Sequence, residues 1–174
     1  CKDKTNQSFL HAENCGDRVD NAIWLLKQYG VNSSEICIIG GCVLEYYGLR
    51  NANDVDFVIE PEAYERLRQE VSPEFVNERC GRIEIPFEEG SSKIDIKRNP
   101  YLSVGVTDDC LLSQTFLTSQ LAQGVRIARL ELEFGRNLLE KSINNPSVEN
   151  DYLLMEDYAC GNDDWNWELI PIKY

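Results

Sequence analysis

The chain is poor in the residues that build histidine and cysteine metal sites. It has one histidine, His11, and one methionine in 174 residues, so a site made of several imidazoles is excluded. Its seven cysteines are scattered, and none shows the C-x-x-C spacing of zinc and redox motifs. An odd number of dispersed cysteines is typical of a reduced, intracellular protein, and we expect a cytoplasmic location.

Basic side chains are also scarce. Lys and Arg number 17 against 30 Asp and Glu, which gives a formal net charge of −13 at pH 7. Proteins that hold long nucleic acids usually present a basic stripe, because phosphate contacts supply most of the non-specific affinity. The sequence therefore predicts no long nucleic-acid partner.

Long apolar runs are absent as well. No stretch approaches the roughly 18 apolar residues of a membrane-spanning helix, so no membrane partner is expected. Hydrophobic residues still make up 43% of the chain, enough for one ordinary core. We predict a single domain over residues 1–174, with its core at about 17–159, a polar N-terminal arm and an acidic, Trp-containing tail.

Because the chain begins at Cys1 without a methionine, a larger parent chain stays open. A homo-oligomer is a separate expectation that also stays open.

Helical and extended patterns alternate and then give way to helices, which indicates an α/β or α+β fold with a mixed sheet. The predicted helices are 17–29, 42–47, 62–71, 131–142 and 148–159. The predicted strands are 35–39, 55–59, a hairpin of 75–79 with 82–87, and 93–98, with further strand-like segments at 111–117 and 124–128.

The most informative stretch is an apolar strand that runs into Gly40-Gly41 and a short helix. Glycine allows the backbone to approach a ligand closely, and free N–H groups at a helix start suit a phosphate. Taken alone, a glycine pair is more often an ordinary tight turn.

A second strand follows and opens with two carboxylates, Asp54 and Asp56. Residues i and i+2 of a strand project to the same face, so these side chains are expected to lie about 7 Å apart at their Cα atoms. Carboxylates in such an arrangement can bind a hard divalent cation. A solvated edge strand would explain one aspartate, but Asp is depleted in strands, and two beside the apolar Phe57–Ile59 run need a further reason.

Together these features resemble the nucleotidyltransferase superfamily that includes DNA polymerase beta, whose members carry a Gly-Gly or Gly-Ser turn, a spacer, and Asp-x-Asp on the next strand. Here the spacer is 42–53. Glycosyltransferases also carry Asp-x-Asp, but there the apolar strand usually precedes the motif. The resemblance covers roughly residues 17–159 and suggests a small stand-alone or toxin-type member. It implies a nucleotidyltransferase-like mixed sheet flanked by helices, with C-terminal helices.

The family takes a third carboxylate from a later strand. Asp95, in an alternating Ile-Asp-Ile pattern, fits that position, and Glu84 in a similar strand is its rival. The resemblance implies that Asp54, Asp56 and Asp95 are the catalytic residues and that they bind Mg²⁺ or Mn²⁺, with Asp95 assisting deprotonation of the acceptor.

Four further residues are expected to bind the nucleotide. The resemblance implies that the amides of Gly40 and Gly41 contact the phosphates. Arg50 could reach the triphosphate, and Lys97 could neutralise a phosphate, although a surface arginine and a partner for Asp95 are the ordinary explanations of these two.

The implied reaction moves a nucleoside monophosphate from ATP or another nucleoside triphosphate to a hydroxyl of a small molecule or protein and releases pyrophosphate. The alternative is a catalytically silent nucleotidyltransferase-like domain that binds a ligand or partner.

Overall fold

The computed structural model describes residues 16–86, 92–140 and 146–169. The predicted N-terminal arm, apart from Gly16, and the end of the tail lie outside the described residues, as do the last residues of the helix predicted to end at 142.

The described part of the chain is a mixed α/β structure built on one sheet. Its strands are β1 (Ile36–Ile39), β2 (Val55–Ile59), β3 (Val76–Asn77), β4 (Arg82–Pro86), β5 (Lys93–Ile96), β6 (Thr118–Gln120) and β7 (Arg126–Ala128). The order across the sheet is β3-β4-β5-β2-β1-β7-β6. The pairs β2–β5 and β1–β7 are parallel and the others are antiparallel, so the predicted mixed sheet is confirmed.

The described α-helices follow the predicted alternation. They are α1 (Gly16–Gln28), α2 (Gly41–Tyr46), α3 (Pro61–Glu70), α4 (Asp108–Ser113), α5 (Leu130–Glu140) and α6 (Pro146–Cys160). None of the helices in these ranges is both long and apolar enough to cross a membrane.

The core is densest where β1 and β2 lie side by side. All four residues of β1 are buried, and β2 is buried except at Asp56, which is partly exposed. Continuous apolar runs of this kind occur in strands that are covered on both faces. Asp56 is thus a charged residue within the best-packed part of the sheet.

Cys37 in β1 and Cys42 in α2 are small, fully buried core residues. Burial raises the pKa of Cys37 to about 12 and that of Cys42 to about 11, so both remain thiols at neutral pH. Each of the five cysteines in the described ranges is free.

One predicted strand-like segment is wrong. Most of residues 111–117 lie in α4 or the turn after it, and the strand begins only at Thr118. The oxygen Oγ1 of Thr107 accepts a hydrogen bond from the Cys110 amide at 3.2 Å and caps the helix. Asp108 and Asp109 in the first turn add a favourable interaction with the helix dipole.

The C-terminal helices and the tail are joined by aromatic side chains. Phe134 of α5 stacks on Tyr152 of α6 with ring centroids 5.1 Å apart. Trp165 and Trp167 contact the same Phe134 ring edge-on, at 5.5 and 5.7 Å. These contacts anchor the described part of the tail to α5.

Candidate functional site

The candidate site lies where carboxylates from three neighbouring strands stand in register. Asp56 of β2 is opposite Asp95 of β5, and Asp95 is opposite Glu84 of β4. The later strand that was expected to supply the third carboxylate, β5, lies directly beside β2. The two candidates for the third carboxylate, Asp95 and Glu84, are therefore next to each other rather than in different parts of the fold.

Asp54 lies next to the first residue of β2, as the predicted bounds of that strand imply. It precedes β2, which begins at Val55, and its Oδ1 accepts a hydrogen bond from the backbone amide of Lys93 at 3.2 Å. Within residues 16–86, 92–140 and 146–169, no group of three or more His, Cys, Asp or Glu side chains could hold a metal ion. The expected convergence of Asp54, Asp56 and Asp95 on one point is thus not formed in this conformation.

Asp95 is held by an arginine. Its side chain is 2% exposed, and Arg82 Nε donates to its Oδ1 at 2.7 Å while Arg82 Nη2 donates to its Oδ2. This two-pronged contact raises the pKa of Arg82 and engages both carboxylate oxygens. Arg82 Nε also lies 3.1 Å from Oε1 of Glu84.

Asp56 has a looser cationic partner. Lys97 Nζ lies 3.6 Å from Asp56 Oδ2, at an aspartate that is 14% exposed. Burial raises the pKa of Asp56; Lys97 opposes this shift, and the negative charges of Asp95 and Glu133 add to it. Lys97 therefore reaches the site, as predicted, and in this structure it is paired with Asp56.

Gly40 packs directly against Asp56. It has a φ of +70°, and a Cβ atom there would lie 2.4 Å from Asp56 Oδ2. Only glycine allows this approach without displacing the carboxylate. The glycine pair and the second aspartate of Asp-x-Asp are thus brought together, as the motif predicted.

The amide of Gly40 already has a partner. It donates to Oε1 of Glu133 at 2.6 Å, and the same oxygen accepts the Tyr101 hydroxyl. Oε2 of Glu133 lies 3.3 Å from Arg136 Nη2. The prediction that this amide contacts a phosphate does not agree with this arrangement, in which the amide serves to fix the turn.

Arg50 lies beside the second glycine. A Cβ atom at Gly41 would be 3.2 Å from Arg50 Nη1. The guanidinium is paired with Asp151 of α6 through Nε–Oδ1 and Nη2–Oδ2 contacts of 2.6 and 2.9 Å. These hydrogen bonds raise the pKa of Arg50. Arg50 is near the glycine turn as expected, with a carboxylate as its partner.

Sequence reasoning missed the residues that hold the site in place. Arg82 had a usable signal, because it alternates with Glu84 on a strand next to Asp95 and so had to project to the same face. No sequence pattern pointed to Glu133 or Asp151. Their partners, Gly40 and Arg50, are distant in sequence, and local patterns do not reveal such pairs.

No protein-family model matches the chain, and neither a curated protein nor a solved structure gives a significant match.

Proposed function

We propose that the protein is a metal-dependent nucleotidyltransferase with a nucleotidyltransferase-like fold. The observation that carries the proposal is the pairing of Asp56 and Asp95 on adjacent parallel strands, with the Gly40 turn packed on Asp56. In this structure Arg82 and Lys97 compensate the two buried charges, and the proposal is that a metal ion takes over part of that role.

The donor atoms suit a hard divalent cation. Asp56 and Asp95 would hold Mg²⁺ or Mn²⁺ through carboxylate oxygens, the ligands that these ions prefer. Such an ion supplies charge neutralisation of the phosphates and activation of the acceptor hydroxyl. Asp95 has the right chemistry, and in this structure its carboxylate is paired with Arg82.

The chain's own cations would then serve the nucleotide. Lys97, beside Asp56, is placed to contact a phosphate once a metal ion takes over the neutralisation of Asp56. The substrate is ATP or another nucleoside triphosphate, and the acceptor is a hydroxyl of a small molecule or a protein. The net charge of −13 argues against a long nucleic acid as the acceptor.

The test is pyrophosphate release from each common nucleoside triphosphate with Mg²⁺ or Mn²⁺ and a panel of hydroxyl acceptors, compared with an Asp56→Asn variant. The substitution keeps the size of the side chain and removes its charge, so turnover should be lost. Asp157→Asn, the same change at an exposed position on α6, is the matched control and should retain full turnover. Equal activity of Asp56→Asn and wild type would overturn the assignment.

A silent nucleotidyltransferase-like domain is the second candidate. The observation that favours it is the two-pronged Arg82–Asp95 pair, since an internal guanidinium already neutralises the carboxylate that a metal ion would need. Thermal unfolding with and without Mg²⁺ and nucleotide separates binding from turnover, because a ligand present at 100 times its Kd adds about 2.7 kcal/mol of apparent stability. Stabilisation without any pyrophosphate release would support this candidate.

A further inference from the structure

The contacts of Asp95 suggest how access of a divalent cation to the candidate site is controlled. We infer that Arg82 and a divalent cation are alternative partners of Asp95, so that Arg82 keeps the site closed until it is displaced. The inference rests on the proposed metal-dependent function and concerns the regulation of that same site.

The buried carboxylate of Asp95 needs a cationic partner. It is 2% exposed, so water cannot solvate its charge, and both of its oxygens are bound by the Arg82 guanidinium. A buried carboxylate without compensation is strongly unfavourable. Any process that removes Arg82 must therefore bring another cation or a proton to Asp95.

The Arg82 guanidinium and a divalent metal ion exclude each other at Asp95. A metal ion on Asp95 would need at least one of the two oxygens that Arg82 now occupies. It would also carry two positive charges next to the guanidinium, and like charges at such short range repel strongly where water is scarce. Simultaneous binding of both is therefore disfavoured by geometry and by charge.

The Arg82 side chain is able to move away from Asp95. Its side chain is 37% exposed, so the guanidinium can reach water without unfolding β4. It also contacts Glu84 Oε1, and Glu84 is 39% exposed. Glu84 keeps a second partner when Arg82 moves, because Lys93 Nζ lies 2.7 Å from its Oε2. Release of Asp95 thus leaves no other carboxylate in this row without a cation.

Asp56 is held more loosely than Asp95, so we expect Asp95 rather than Asp56 to limit metal binding. Its partner Lys97 contacts one oxygen at 3.6 Å, which is longer and less directional than the arginine fork on Asp95. A metal ion can approach Asp56 with less rearrangement, so Arg82 sets the affinity of the pair.

The test is direct binding of Mn²⁺ alone, followed by the electron paramagnetic resonance signal of free Mn²⁺ in titrations of the whole chain. Arg82→Gln removes the competing charge and should bind Mn²⁺ at least 10-fold more tightly than wild type. Lys93→Gln is the matched control: it removes one positive charge from the same row at nearly equal exposure, 35%, but from a residue that pairs with Glu84 rather than Asp95. The Mn²⁺ affinity of Lys93→Gln should differ from that of wild type by less than 3-fold.

Two further variants make the result specific. Arg82→Lys retains the charge and loses the fork, so its Mn²⁺ affinity should lie between those of wild type and Arg82→Gln. The double variant Arg82→Gln/Asp95→Asn should lose the gain entirely. If Arg82→Gln folds poorly without metal, recovery of its melting temperature by Mn²⁺, beyond the shift seen for wild type, supports the inference.

The outcomes separate this inference from the proposed function. Tight Mn²⁺ binding by wild type with no gain in Arg82→Gln, or an equal gain in Lys93→Gln, overturns the role of Arg82 and leaves the metal-dependent function standing. Failure of every variant to bind Mn²⁺ at millimolar concentration overturns both.

Discussion

Asp95 and Glu133 are both about 1% exposed, yet they are satisfied in different ways. Glu133 accepts hydrogen bonds from a backbone amide and from the fully buried Tyr101, and it pairs with Arg136. Asp95 relies on Arg82, a side chain more than one-third exposed. The comparison indicates that Glu133 is part of the framework, because several groups would lose a partner with it. Asp95, by contrast, is held by the side chain of Arg82.

The largest expected effect is on the Glu133 side of this comparison. Glu133→Ala removes the partner of the Gly40 amide, the Tyr101 hydroxyl and Arg136, so the free energy of unfolding should fall by about 3–5 kcal/mol, the cost of breaking a buried ion pair. Urea unfolding measures it, with the exposed Glu149→Ala as control at under about 0.5 kcal/mol. A loss as small as that of the control would show that Glu133 is not part of the framework.

A second substitution tests the turn that Glu133 holds. Gly40→Ala combines an unfavourable φ of +70° with a Cβ atom 2.4 Å from Asp56 Oδ2, so we expect a loss of about 2–4 kcal/mol. Gly48→Ala is the matched control, because Gly48 has a φ of +76° with no atom near its Cβ position, and it should cost only about 1–2 kcal/mol. Equal losses in urea unfolding would mean that the contact with Asp56 is unimportant.

On the Asp95 side, a double-mutant cycle measures how much one arginine contributes. Arg82→Gln should lower the free energy of unfolding by about 1.5–3 kcal/mol, the range for hydrogen bonds to a charged group. In an Asp95→Asn background the same change should cost much less, because the buried charge is already gone. Additive losses in the cycle would show that the Arg82–Asp95 contact is not energetically coupled.

The smallest effect concerns pH. Burial raises the pKa of Asp56 in the folded protein above its ordinary value, so the folded state binds this proton more tightly than the unfolded state. The charged form therefore destabilises the fold at neutral pH, and the penalty decreases as the pH falls through the folded pKa. Asp56→Asn should be slightly more stable than wild type at pH 7 in the absence of metal.

That gain should shrink at pH 5, and urea unfolding at both pH values measures the trend. A gain that grows as the pH falls would contradict the raised pKa, and the exposed Asp157→Asn variant corrects for the general charge effect.

Most of the fold was predictable because its signals are local. The apolar runs predicted most of the strands, and the hairpin predicted over 75–79 and 82–87 is formed by β3 and β4. The exception was α4, where a short apolar run suits both states and the cap at Thr107 decided the outcome.

The candidate site was predictable only in part. Strand alternation identified Asp56 and Asp95, which lie in register on β2 and β5, but it did not show that Asp54 accepts a hydrogen bond from the Lys93 amide. The ion pairs of the site depend on tertiary packing. Arg82 against Asp95 could be inferred once the strand order was known, whereas Glu133 against Gly40 could not.

The hydrogen bond from Gly40 to Glu133 also bears on how the protein is made. The two residues are 93 positions apart. The strand β1, which leads into the Gly40 turn, pairs in parallel with β7, which lies shortly before Glu133 in the chain. Contacts of such high sequence separation form late in folding, because a long loop must close first. A nascent chain on the ribosome that has not yet exposed residue 133 lacks the group that fixes the glycine turn. The carboxylate face would therefore acquire its final shape only after most of the chain has been synthesised.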